Sequence, residues 1–130
     1  MEIKALVCSD SGLLLMAEIC EGKACQATKA YRDYVGESTA VTLRLCLPWK
    51  GSGRIVIADS FFGSCQTAEW LMDELGLYCI LAIKTGHRGF LKKHLVEAVK
   101  GERFTAKFMK CDVELEIGTT TFYAGAFMDK

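Results

Sequence analysis

The residue best placed to do chemistry is Asp59. It ends the run Arg54-Ile55-Val56-Ile57-Ala58-Asp59, where a β-branched apolar stretch gives way to Ser60-Phe61-Phe62-Gly63. A carboxylate at the carboxyl end of a buried strand lies where open α/β sheets gather ligands and catalysts. The competing reading is an Asp that only caps its loop. One carboxylate alone does little for phosphate chemistry, since two metal ions ~3.5–4 Å apart need several acidic ligands converging on them.

Other candidate constellations are weaker. Ser60 and Ser64 have no His and acid partner recognisable by spacing, so a hydrolase triad lacks support. Gly51-Ser52-Gly53 follows a helical pattern and precedes a strand, the reverse of a dinucleotide fingerprint. Lys84-Thr85-Gly86 lacks the glycine-rich loop that a phosphate-binding P-loop places before its lysine. His87 and His94 stand alone in a basic stretch and read as surface histidines. Trp49, Trp70 and the Phe61-Phe62 pair read as packing residues rather than as a base-stacking platform.

The seven cysteines are an odd number with no Cys-x-x-Cys pair, which leaves neither a redox motif nor the ligand spacing of a zinc site. Cys20 and Cys25 come nearest, without a second pair of ligands. Cys8, Cys46, Cys65, Cys79 and Cys111 lie in apolar or amphipathic runs, where a free thiol behaves as a small hydrophobe. Free thiols in turn point to a reducing compartment.

These groups must be positioned by a fold that 130 residues can build as one domain. With 51% hydrophobic and 25% charged residues the chain is ordinary globular material, which argues against disorder. Its longest unbroken apolar run, Leu77 to Ile83, is far short of the ~20 residues that span a bilayer. No targeting segment is visible, and the expectation is a soluble, intracellular chain.

Sixteen basic residues balance sixteen acidic ones, but unevenly along the chain. Residues 1–83 carry seven basic and ten acidic side chains, a net of −3; residues 111–130 carry one and four, also −3. Residues 84–110 carry eight basic and two acidic, a net of +6, and this block alone would attract a polyanion strongly.

Hydrophobic patterning gives the element order β-β-α-β-α-β-α-β-β-β. Residues 3–8 and 13–19 read as a hairpin around Ser9-Asp10-Ser11-Gly12, with Gly12 free to take positive φ. Residues 21–36 read as a connector. A short helix over 38–47 opens at Ser38 or Glu37 and is stopped by Pro48. Residues 54–59 form an apolar strand. The next helix has Ala68, Leu71, Met72 and Leu75 on one face, Ser64 as N-cap and Gly76 as terminator. A buried strand over 77–83 and a basic amphipathic helix from Leu91 to Gly101 follow. Residues 104–110, 113–117 and 121–128 read as three short strands. Interleaved strands and helices make the class α/β with a mixed sheet flanked by helices and a C-terminal antiparallel β segment.

Residues 54–95, RIVIADSFFGSCQTAEWLMDELGLYCILAIKTGHRGFLKKHL, resemble the second catalytic block of piggyBac-type transposases: an apolar strand, D-N-F-Y-T-S, a Leu-rich helix, a strand ending G-T-x-R and a basic stretch. Upstream, IKALVCSDSGLLLMAEICEGK resembles that family's pair of strands around a Cys/Asp-Ser turn. The resemblance covers residues 3–93 and fades beyond. It implies a truncated RNase H-like core over 1–100, with 101–130 resembling the start of the family's insertion region.

The resemblance makes Asp59 the second of three metal-binding aspartates, which in the intact family hold two Mg²⁺ ions for DNA strand cleavage and transfer. Lys84, His87, Arg88, Lys92 and Lys93 then fall where DNA phosphates are contacted, and the family's setting is nuclear. The departures are equally informative. The first aspartate would lie upstream of Met1 and the third beyond Lys130, and Asp129 comes too early to replace it. Ser60 stands for Asn, Gly63 for Thr, Leu81-Ala82 for Gly-Thr, and the family's Pro near Leu91 is missing.

One carboxylate of three holds no stable Mg²⁺ pair, so the expectation is a transposon-derived fragment, inactive in isolation. A second reading is a domesticated, non-catalytic module binding DNA or protein through its basic 84–110 face; a third is an α/β protein without any link to DNA. In an RNase H-like sheet the absent first strand would separate the strand at 3–8 from that at 54–59. The sheet is then expected either to close up in a pairing foreign to the family or to recruit a strand from another chain.

Overall fold

The computed structural model describes residues 1–84, 86, 87, 89–101 and 103–128. It contains β1 (Glu2–Val7), β2 (Leu14–Cys20), α1 (Lys23–Ala27), α2 (Glu37–Cys46), a 3-10 turn (Leu47–Trp49), β3 (Ile55–Ala58), α3 (Cys65–Asp73), β4 (Tyr78–Leu81), α4 (Lys92–Val99), β5 (Thr105–Leu115) and β6 (Gly118–Met128). The chain divides into two compact units, Met1–Lys84 and Thr85–Lys130.

In the first unit β1 and β2 form the expected antiparallel hairpin. Cys8 N–H donates to Leu13 O at 2.9 Å and Gly12 takes φ +69°, the conformation that makes glycine useful in this turn. The expected helix before Pro48 is α2, but its N-cap is Gly36 rather than Ser38 or Glu37. Pro48 lies in the 3-10 turn that ends the helical segment. Within the connector at 21–36 lies the one-turn α1, which is too short to show apolar periodicity.

α3 follows its sequence signals closely. Ser64 Oγ accepts from Thr67 N–H at 2.9 Å. At the other end Gly76, at φ +61°, donates to Met72 O at 3.0 Å, the αL closure, and Leu77 N–H donates to Leu71 O at 2.9 Å. The core of this unit gathers Val35, Ala40, Leu43, Cys46, Val56, Leu71, Leu75 and Leu77, with Leu6, Trp49, Trp70 and Cys79 half-buried against it. Both tryptophans thus serve packing, as expected. The opposite face of the strands, including Ile3, Ile55, Ile57 and Ile80, is exposed.

The expectation of one mixed sheet is corrected. Among the described residues the strands form three separate pairs: β1–β2 antiparallel, β3–β4 parallel and β5–β6 antiparallel. β1 and β3 are not hydrogen-bonded to each other, so the sheet does not close up within the chain. The three short strands expected after residue 103 are likewise two long ones. β5 and β6 pair without interruption from Thr105↔Met128 to Leu115↔Gly118, because the charged residues at 110–114 continue the ladder on its solvent side. α4 packs against this hairpin and buries Leu95 and Val99.

Candidate active site at the end of β3

Asp59 follows β3 directly and opens the loop to α3. Its Oδ1 accepts from Phe61 N–H at 2.9 Å, while its backbone oxygen accepts from Phe62 N–H at 3.2 Å and Gly63 N–H at 2.9 Å. The loop-cap role is therefore real, and it occupies one carboxylate oxygen. The residue also lines a hollow of about 240 Å³ bounded by Ala5 and Leu6 of β1, Val56 to Ala58 of β3, and Leu45 and Cys46 of α2. The hollow thus lies where β1 and β3 fail to meet.

Backbone geometry explains that hollow. Tyr78 N–H donates to Arg54 O and Ala82 N–H to Ala58 O, both at 3.0 Å, so the even-numbered residues of this segment face β4. Ile55 and Ile57 consequently turn their N–H and C=O groups to the other edge, where no strand is paired among the described residues.

The Asp59 loop is held from below by hydroxyls that the sequence did not single out as a set. Thr67 Oγ1 donates to Phe62 O at 2.9 Å and lies 2.8 Å from both Ser64 Oγ and Thr39 Oγ1. All three residues are buried, and the contact ties the loop to α2 as well as α3. Ser64 is thus a cap and a strut, not a nucleophile. Gly63 is the loop's closest approach to its neighbours: a Cβ there would meet Ala82 O at 2.1 Å. Above the loop, Lys4 Nζ sits 3.6 Å from the centre of the Phe61 ring, and Phe61 meets Phe62 edge-on at 4.9 Å.

A second polar cluster braces α2. Arg44 donates to Glu18 through Nε at 2.9 Å and Nη2 at 2.7 Å, and Lys29 Nζ adds a contact at 3.2 Å. Burial opposes the charge of Glu18, but the hydrogen bonds and charges of Arg44 and Lys29 outweigh it and hold the carboxyl below its usual range. Sequence patterning missed this cluster, since 26 residues separate Glu18 from Arg44.

Lys84 is exposed at the end of the first unit, and His87 and Lys93 are exposed in the second. Lys92 lies on α4. Arg88 lies outside the described residues. Among the described residues no group of three or more His, Cys, Asp or Glu side chains could hold a metal ion. All seven cysteines are free thiols. Cys46 is buried, whereas Cys111 is exposed on the hairpin, which corrects its reading as a packed hydrophobe.

A family model described as Transposase IS4, of the DDE type, matches residues 1–110. The chain belongs to this transposase family. No curated protein and no solved structure matches it. Transposases of the DDE type generally use Mg²⁺ and act on DNA. Asp59, one oxygen of which is engaged by its own loop and which belongs to no group of three or more His, Cys, Asp or Glu side chains among the described residues, does not fit a two-metal site by itself. No helix is long and apolar enough to cross a membrane among the described residues.

Proposed function

We propose that residues 1–130 are part of a piggyBac-like DDE transposase core of RNase H-like design, catalytically silent as they stand. Residues 1–100 contribute to the core and 101–130 begin its insertion region. Asp59 is one metal-binding carboxylate of the three the intact enzyme uses. The observation that carries this reading is the place of Asp59: at the end of β3, on the rim of a hollow that a paired strand would otherwise occupy. Transposase IS4 membership supports it through the chemistry of the family.

The reading is tested by following the reading frame in both directions and by assaying the chain as it is. Apolar strands ending in Asp are expected upstream and downstream, and Mg²⁺ or Mn²⁺ is expected to produce no nicking of supercoiled DNA. A frame without such aspartates, or nicking that Asp59→Ala abolishes, would defeat the proposal.

The second reading, a non-catalytic module docking DNA or protein on the 84–110 face, is favoured by the exposed Lys93 on α4 and by Lys100, Arg103 and Lys110, all exposed in the same unit. Weak, sequence-independent DNA binding that falls steeply with salt and is lost in K92E/K93E supports it. Binding insensitive to both would remove it.

A further inference from the structure

The β5–β6 hairpin has two unlike faces. Met109, Val113, Phe122, Ala124 and Ala126 are half-buried on the face that α4 packs against. The other face is exposed throughout. Its cross-strand rows are Ala106 beside Phe127, Phe108 beside Gly125 and Lys110 beside Tyr123. Towards the tip come Asp112 beside Thr121 and Glu114 beside Thr119. Phe108 and Tyr123 are each 73% exposed and Phe127 62%. The three rings leave roughly 450 Å² of surface in water, a patch of the kind that marks an interaction site.

The pattern of this face fits a second copy of itself. A twofold axis running along the strands lays β5 over the β6 of the second copy, so each residue meets the type that already stands beside it in its own ladder. Phe127 then faces the second copy's Ala106, large against small. Tyr123 faces the second copy's Lys110, a ring against a cation. Phe108 leans across the ribbon over Gly125, where an added Cβ would meet its Cε1 at 2.7 Å. It therefore meets its own counterpart near the axis, ring on ring. Asp112 and Glu114 fall opposite threonines, the partners they already have within one chain, where Thr121 donates to Asp112 and Thr119 to Glu114. No two like charges stand directly opposite. A twofold running across the strands would instead lay the rings on Asp112 and Glu114 and strip water from both carboxylates.

We propose that this face joins two copies of the chain, face to face, with the twofold axis along β5 and β6. Covering it on both copies removes about 1,000–1,400 Å² from water, above the roughly 1,000 Å² that a specific interface needs and below the usual 1,600 Å². Association therefore belongs in the micromolar range. The product is a helix–sheet–sheet–helix sandwich, which gives the two-stranded ribbon a second covering layer. The inference is independent of the chemistry at Asp59.

Sedimentation equilibrium of the full chain, taken up to about 200 µM, should show monomer and dimer in exchange. Tyr123→Lys sets lysine against lysine across the axis and should weaken the dimer at least about tenfold, with the circular dichroism spectrum unchanged. Lys110→Glu supplies the opposite charge from the facing side. Differently labelled Y123K and K110E chains should associate at least about tenfold more tightly with each other than Y123K does with itself, read by energy transfer. That preference arises only between chains, so repacking inside one hairpin does not produce it. A parent chain that stays monomeric over this range overturns the proposal, as does a mixture of Y123K and K110E without the preference. A dimer as tight in Y123K as in the parent overturns it too, and assigns self-association to the open strand edges. Should Y123K lose its spectrum, Phe127→Ser decides in its place, and an undiminished dimer there is equally fatal.

Discussion

Gly63→Ala should be among the most damaging small substitutions in the first unit. The added Cβ would lie 2.1 Å from Ala82 O, 3.0 Å from Ala82 C and 3.3 Å from Asp59 O. All three are backbone atoms, so no side chain can swing aside. Relief requires the loop and the end of β4 to separate by about 1 Å, the gap between 2.1 Å and an ordinary carbon–oxygen contact. Two hydrogen bonds stand in the way: Ala82 N–H to Ala58 O at 3.0 Å and Gly63 N–H to Asp59 O at 2.9 Å. Losing both costs about 1–3 kcal/mol and the overpacking about 1–3 kcal/mol more. The sum, about 2–6 kcal/mol, is a large part of the 5–15 kcal/mol that holds a domain together. In a unit of this size each kcal/mol is worth about 4–8 °C, so thermal unfolding followed by circular dichroism should show a fall of at least about 8 °C. Gly22→Ala, in open space at φ −58°, is the control and should move the midpoint only slightly. A Gly63→Ala protein melting within about 2 °C of the parent would refute the argument.

Thr67→Val keeps the shape of a buried residue but strands Phe62 O and removes a partner from Ser64 and Thr39; a loss of about 2–3 kcal/mol is expected in urea titration. Glu18 has a lowered folded pKa, so its contribution is complete above the unfolded carboxyl value of about 4.3 and disappears as pH falls through the folded one. Glu18→Gln should therefore flatten the acid limb of the stability–pH curve below that value. Burial pushes the thiols of Cys46 and Cys79 up to about 11. Mass spectrometry after brief alkylation near pH 8 should find both unmodified while exposed Cys25 and Cys111 react.

Legibility followed the range of the interaction that decided each feature. α3 could be read because its cap, its apolar face and its terminating glycine are all local, lying between Ser64 and Gly76. The hairpin at 105–128 could not, since a ladder with one face in solvent carries charged residues without breaking and so blurs its own alternation. Asp59 was visible as a polar residue closing an apolar run. The hydroxyl contact beneath its loop joins Thr39 to Thr67 across 28 residues, and no spacing rule reaches that far. The separation of β1 from β3 is also non-local. Each strand's own residues set its faces, while the presence of a partner on its edge depends on residues far away along the chain.

That separation links folding and chemistry under the proposed reading. Among the described residues β3 is bonded to β4 on one side only, and the groups of Ile55 and Ile57 point into the edge beside the hollow. A strand laid there would fill apolar space against Leu45 and Cys46 and pair with backbone now unpaired. Neighbouring strands run about 4.8 Å apart. The side chain at the end of such a strand would thus stand beside Asp59 at a distance suited to sharing a divalent ion, which a single carboxylate does not hold firmly. Completing the sheet and completing the metal site are then a single event.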